Sequence, residues 1–111
     1  MMLNSTQILE KELLKLENSK GKAAQIGYDL SVKEIKSLEG YGQILLNKTN
    51  LPQYKEITLS EDELVGWHLN PGYYEVTFWE GCKIPSNLVG LIRQRSSMLR
   101  SGALLHSSVF D

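Results

Sequence analysis

Asn87-Leu88-Val89-Gly90-Leu91-Ile92-Arg93-Gln94-Arg95-Ser96-Ser97-Met98-Leu99-Arg100-Ser101-Gly102-Ala103-Leu104-Leu105 sets two short apolar runs on either side of a polar break. Each run has the length of a strand rather than of a helix. The break holds three arginines and three serines within nine residues. Arginine presents a forked, permanently charged donor array, and serine a short hydroxyl close to its own backbone N–H. That composition suits an anion, a polyphosphate in particular. It also suits a helix start: with Ser96 or Ser97 as cap, the first N–H groups and both hydroxyls would face one phosphate. A solvated loop between strands fits the same residues, and at this level both readings stand.

Outward from this stretch, short apolar runs keep alternating with turn signals. Strands are expected at about 27–32, 43–46, 54–59, 73–78, 88–92 and 103–110. Leu69-Asn70-Pro71-Gly72-Tyr73 reads as a type II turn, with proline at its second position and glycine at its third. Ile84-Pro85-Ser86-Asn87 reads as another break. Only residues 4 to about 18 look helical. Leu9, Leu13 and Leu16 recur at helical spacing, and Asn4 with Gln7 forms a capping-box pattern. The expectation is a mainly β domain, sandwich-like or barrel-like, with one N-terminal helix. No repeat, linker or low-complexity tract divides it, so residues 1–111 are read as a single domain, with the β region from about 23 to 111.

Composition narrows the function classes. The chain has 111 residues, of which 41% are hydrophobic and 23% charged, ordinary values that argue for a folded domain. A formal net charge of -1 argues against binding polymeric nucleic acid through a broad basic surface, so Arg93, Arg95 and Arg100 are a local concentration. The single cysteine, Cys82, excludes an internal disulfide and a cysteine metal cluster, and fits a reducing, cytoplasmic setting. No apolar run approaches the roughly 20 residues of a membrane span, and the N-terminus lacks the order of a signal peptide.

Two further positions carry possible chemistry. Gln25-Ile26-Gly27-Tyr28-Asp29-Leu30 places a carboxylate at an apolar strand start. Asp29 either satisfies a turn or holds a hydrated divalent cation beside a phosphate chain. His106 and His68 read most simply as packing or hydrogen-bonding residues. The acidic trio Glu61-Asp62-Glu63 reads as a solvated turn.

Together these segments resemble a known superfamily. Ile26-Gly27-Tyr28-Asp29-Leu30 is similar to the Ala-Gly-Tyr-Asp-Leu motif of trimeric dUTPases. Leu69-Asn70-Pro71-Gly72, Lys83-Ile84-Pro85-Ser86-Asn87-Leu88-Val89-Gly90 and Arg95-Ser96-Ser97-Met98-Leu99-Arg100 resemble successive blocks of dCTP deaminases and their archaeal dUTPase-like relatives. Leu105-His106-Ser107-Ser108-Val109-Phe110-Asp111 resembles the strand entering their Asp-x-Gly-aromatic hairpin. The order and spacing of the blocks, over residues 23 to 111, carry the resemblance more than any single motif.

The resemblance implies a distorted β-barrel of the β-clip type, a homotrimer, and a deoxynucleoside triphosphate bound with Mg2+. It places Arg95 and Ser96 on the phosphate chain with Ser97 in support, and Asp29 on a metal-bound water. It puts His106, Ser107 and Ser108 along base and sugar. Asp111 becomes the general base that orients the attacking water, and Arg100 an organiser of the reacting centre. Hydrolysis of dUTP to dUMP and diphosphate is the implied reaction. The alternatives are dCTP deamination, a bifunctional enzyme, or a non-catalytic nucleotide-binding fragment. Ser97, where most trimeric dUTPases have glycine, favours the deaminase-like branch. The interval from Arg100 to Asp111 is closer to the archaeal dUTPases within it. The later parts of the family pattern lie beyond Asp111, so the barrel is expected to be incomplete within these residues.

Overall fold

The computed structural model describes residues 2–59 and 66–107. As expected, these residues are mainly β with a small N-terminal helix. The chain runs through α1 (Ser5–Glu10), β1 (Leu14–Lys15), β2 (Lys22–Ala23), β3 (Tyr28–Asp29), β4 (Val32–Glu39) and β5 (Gln43–Ile44). It continues through β6 (Thr49–Asn50), β7 (Gln53–Glu56), β8 (Tyr74–Phe78), β9 (Gly81–Cys82) and α2 (Ser96–Arg100). The strands among the described residues pair antiparallel: β1 with β9, β2 with β3, β5 with β6, and a three-stranded sheet in the order β7-β4-β8. Among the described residues these sheets do not close into a barrel.

The helix is much shorter than the leucine spacing suggests. Asn4 and Gln7 form the expected capping box. Glu12, however, takes φ +53, and the N–H groups of Glu12 and Leu13 donate to the carbonyls of Leu9 (3.1 Å) and Ile8 (3.2 Å). That is a Schellman ending, which satisfies the last carbonyls and turns the chain away. Leu13 is thereby delivered to the core, 8% exposed, and Leu14–Lys15 pair with Gly81–Cys82 instead of continuing the helix.

β4, the central and longest strand, is invisible to simple alternation. Its apolar residues Val32, Ile35 and Leu38 are three apart. A register shift between Val32 and Glu34 explains the spacing, since a bulge inserts one residue and lets Val32 and Ile35 both turn from solvent. The expected strands at 88–92 and 103–110 are not extended ladders. Gly90 makes one isolated bridge, and 103–107 form no strand; residues 108–111 lie outside the described residues. The turn at Pro71-Gly72 is not type II, because Gly72 does not take positive φ. Tyr74 Oη closes it by donating to the Asn70 carbonyl.

Among the described residues the buried hydrophobic side chains are Leu13 and Ile35. The Cα radius of gyration is 16.1 Å, against about 13 Å for a compact domain of this length. Large apolar side chains stand exposed along 41–51, including Tyr41, Ile44, Leu46 and Leu51.

Candidate functional site

Asp29 and Arg95 meet across 66 residues of sequence: Arg95 Nη1 lies 3.2 Å from Asp29 Oδ2. The guanidinium is mostly exposed, while the Asp29 side chain is 26% exposed. The contact is a solvent-facing ion pair with little stabilising value of its own. It places one carboxylate and one forked cation at the same spot, where each keeps donors or acceptors to spare.

Asp29 is held by its surroundings. Gly27 takes φ +79 ahead of β3, and its N–H donates to the Leu3 carbonyl at 3.2 Å. Lys22 faces Asp29 across the β2–β3 pair. Gly21 runs so close beneath that a Cβ there would lie 1.9 Å from the Asp29 carbonyl oxygen. Two residues on, Ser31 donates its N–H to Glu80 Oε1 at 2.8 Å and its hydroxyl to Glu80 Oε2 at 2.7 Å. Ser19 donates to Glu80 Oε2 as well. Glu80 is the buried charged residue among the described residues. Burial works against its charged form, but the hydrogen bonds from Ser19 and Ser31 prevail and hold the carboxyl below the ordinary glutamate value.

Arg95 sits at the N-cap of α2 in an extended conformation, with no side-chain cap hydrogen bond. The expected capping by Ser96 or Ser97 is therefore corrected, since both lie within the helix and are exposed. α2 closes like α1. Gly102 takes φ +86, and the N–H groups of Gly102 and Ala103 donate to the carbonyls of Leu99 (3.0 Å) and Met98 (3.2 Å). Arg100 is exposed in the last turn.

Beside α2 lies an open cleft of about 570 Å³ lined by Ile92, Arg93, Gln94, Leu99, His106 and Ser107, among others. His106 and Ser107 therefore share a concavity with Arg93 and Gln94. Arg95, Ser96, Ser97 and Arg100 do not line it. Gln94 gives the cleft its shape. Its Nε2 donates to the Ala103 carbonyl at 2.8 Å, and its Oε1 accepts from the Leu105 N–H at 2.7 Å. This replaces the ladder that the sequence pattern suggested for 103–105. Ser108 and Asp111 lie outside the described residues.

Glu80 and Gln94 are the supporting residues the sequence does not reveal. Glu80 stands in an ordinary polar turn after Trp79, and Gln94 between two arginines that draw the eye.

The curated relatives bear on the same stretch of chain. The chain is 38% identical over 102 residues to a probable deoxyuridine 5'-triphosphate nucleotidohydrolase of Methanosarcina mazei. Over this stretch the chain is similar to archaeal proteins named as dUTPases. The alignment covers 86% of this chain and 58% of that relative. The deoxyuridine 5'-triphosphate nucleotidohydrolase of Methanocaldococcus jannaschii is 44% identical over 90 residues, covering 78% of this chain and 56% of the relative. A probable enzyme of the same name from Aeropyrum pernix is 36% identical over 94 residues, covering 85% of this chain and 57% of the relative. The chain thus spans somewhat over half the length of the curated relatives it matches. No family model matches it, and no solved structure matches it. No helix among the described residues is long and apolar enough to cross a membrane.

Proposed function

We propose that this chain acts as a dUTP diphosphatase, which hydrolyses dUTP to dUMP and diphosphate. The observation that carries the reading is the Asp29–Arg95 pair, which joins two distant motifs at one exposed spot. The names of the three relatives above favour hydrolysis over the deamination alternative.

In this reading Arg95 binds the phosphate chain through its fork, and the hydroxyls of Ser96 and Ser97 donate to the same oxygens. His106 and Ser107 border base and sugar along the cleft, and Ser108, next in sequence, contributes to the same contacts. Asp111 takes the proton of a water that attacks the α-phosphorus. Arg100, at the end of α2, balances the charge developing on the phosphate oxygens.

Magnesium fits the donor set. Among the described residues no three His, Cys, Asp or Glu side chains gather into a cage. Magnesium keeps several waters and takes most of its remaining oxygens from phosphates, so one carboxylate suffices. Asp29 would hold it through water, and when bound it supplies charge neutralisation on the phosphates and the diphosphate leaving group. A homotrimer in the cytoplasm completes the proposal. The exposed apolar residues along 41–51 and the single cysteine fit that assembly and setting.

The deciding experiment incubates the intact protein with dUTP and, separately, dCTP in the presence of magnesium. Release of dUMP and diphosphate from dUTP is the expected result. Ammonia released from dCTP would move the assignment to deamination, and turnover of neither would overturn both.

A further inference from the structure

A buried polar group with both oxygens hydrogen-bonded lies outside the motif residues. Glu80 is 9% exposed, and both its oxygens are occupied by donors from two separate segments. Those donors are themselves engaged. The Ser31 hydroxyl accepts from the Lys20 N–H at 2.9 Å, and the Ser19 hydroxyl accepts from the Gly21 N–H at 3.1 Å. Trp79 adds a backbone bond from its N–H to the Ser31 carbonyl at 2.9 Å.

One carboxylate at the β8–β9 junction therefore ties 19–21 to residue 31. Asp29 lies between these anchors. Its carbonyl rests against Gly21, its strand pairs with Lys22, and Ser31 is two residues further along. Asp29 in turn faces Arg95. An ionised carboxylate accepts only, so it can take all three donors together. A glutamine amide of the same shape offers one acceptor oxygen and two donor hydrogens. The hydroxyls would have to turn, and the anchors would shift without being lost.

We propose that Glu80 is a positioning residue for the triphosphate site, acting through Ser19 and Ser31 to hold the Asp29 carboxylate in register with Arg95. The proposal rests on the dUTPase reading for its kinetic consequences, but the geometry it asserts is separate from that reading.

The test compares Glu80→Gln, Asp29→Asn and the double variant in the intact protein. Steady-state dUTP turnover is expected to fall roughly ten- to a hundredfold in kcat for Glu80→Gln, with KM changing much less, as for other groups that orient a reacting residue. The double variant is expected to be no slower than Asp29→Asn alone, because Glu80 acts through Asp29. In parallel, the NMR signal of the Arg95 side-chain N–H, assigned by its loss in Arg95→Lys, is expected to move in Glu80→Gln towards its position in Asp29→Asn. Multiplying effects in the double variant, or an Arg95 signal that stays in place, would overturn the proposal and leave Glu80 a purely structural residue. If the wild-type protein turns over no dUTP, the dUTPase reading fails and the Arg95 signal alone decides. If Glu80→Gln does not fold, Ser31→Ala, which removes one donor and keeps the carboxylate, is judged by the same readouts.

Discussion

Replacing Arg95 by alanine removes the guanidinium that lies 3.2 Å from Asp29 Oδ2. The side chain is largely exposed and its ion pair adds little to stability, so the melting temperature should stay close to wild type. Triphosphate affinity, read by calorimetry, should fall by roughly ten- to a hundredfold, the range for a lost charged hydrogen bond. An unchanged affinity would remove Arg95 from the phosphate site. Gly21 makes the opposite prediction. Its Cβ would collide with the Asp29 carbonyl, a backbone atom that cannot swing aside. Gly21→Ala should therefore cost about 1–3 kcal/mol in a denaturant titration. A variant as stable as wild type would show that this close approach is not maintained in solution.

At the scale of elements, both helices stop because their last carbonyls are satisfied by the same device, once with glycine and once without. Gly102 takes φ +86 after α2, whereas Glu12 takes φ +53 after α1. A side chain pays about 1–2 kcal/mol for that backbone region. Glu12→Gly should therefore stabilise the protein by about 1 kcal/mol, and Gly102→Ala should destabilise it by about the same, both measurable by thermal denaturation. The junctions around β3 and β9 respond to acid through Glu80. Its folded pKa is depressed, so the unfolded chain binds the proton more readily. The stabilisation is fully present above the unfolded value, about 4.3, and is lost as pH falls through the folded value. The difference in melting temperature between wild type and Glu80→Gln should be constant near neutrality and shrink below about pH 4. A difference that does not change with pH would argue that the carboxylate is not charged in the fold.

For the whole molecule, two buried hydrophobic side chains among the described residues and a wide radius of gyration leave much apolar surface uncovered. Patches of this kind mark surfaces that another chain or segment covers. The proposed trimer makes this concrete: the intact protein should sediment as three copies at micromolar concentration, and substitution of the exposed Ile44 and Leu46 by serine should test whether 41–51 contributes. A protein that sediments as a monomer would overturn the trimer.

The sequence by itself determined the β class and the capping box at Asn4 and Gln7, and its resemblance to a known family assigned Asp29 and Arg95 to one site, whereas their ion pair came from the tertiary structure. The class, the cap and the shared site are legible because caps and short apolar runs between turn residues act locally, and because the order of the blocks resembles a known family. The early stop of α1, the central place of β4, and the Glu80 and Gln94 clamps were decided only by the tertiary structure. A Schellman turn can override leucine spacing when a neighbouring strand such as β9 offers Leu14–Lys15 better partners. A bulge hides the two-residue period of β4. A carboxylate or amide that anchors backbone looks like any surface residue until the segments it joins, 19–21 with 31 or 94 with 103–105, are brought together in space.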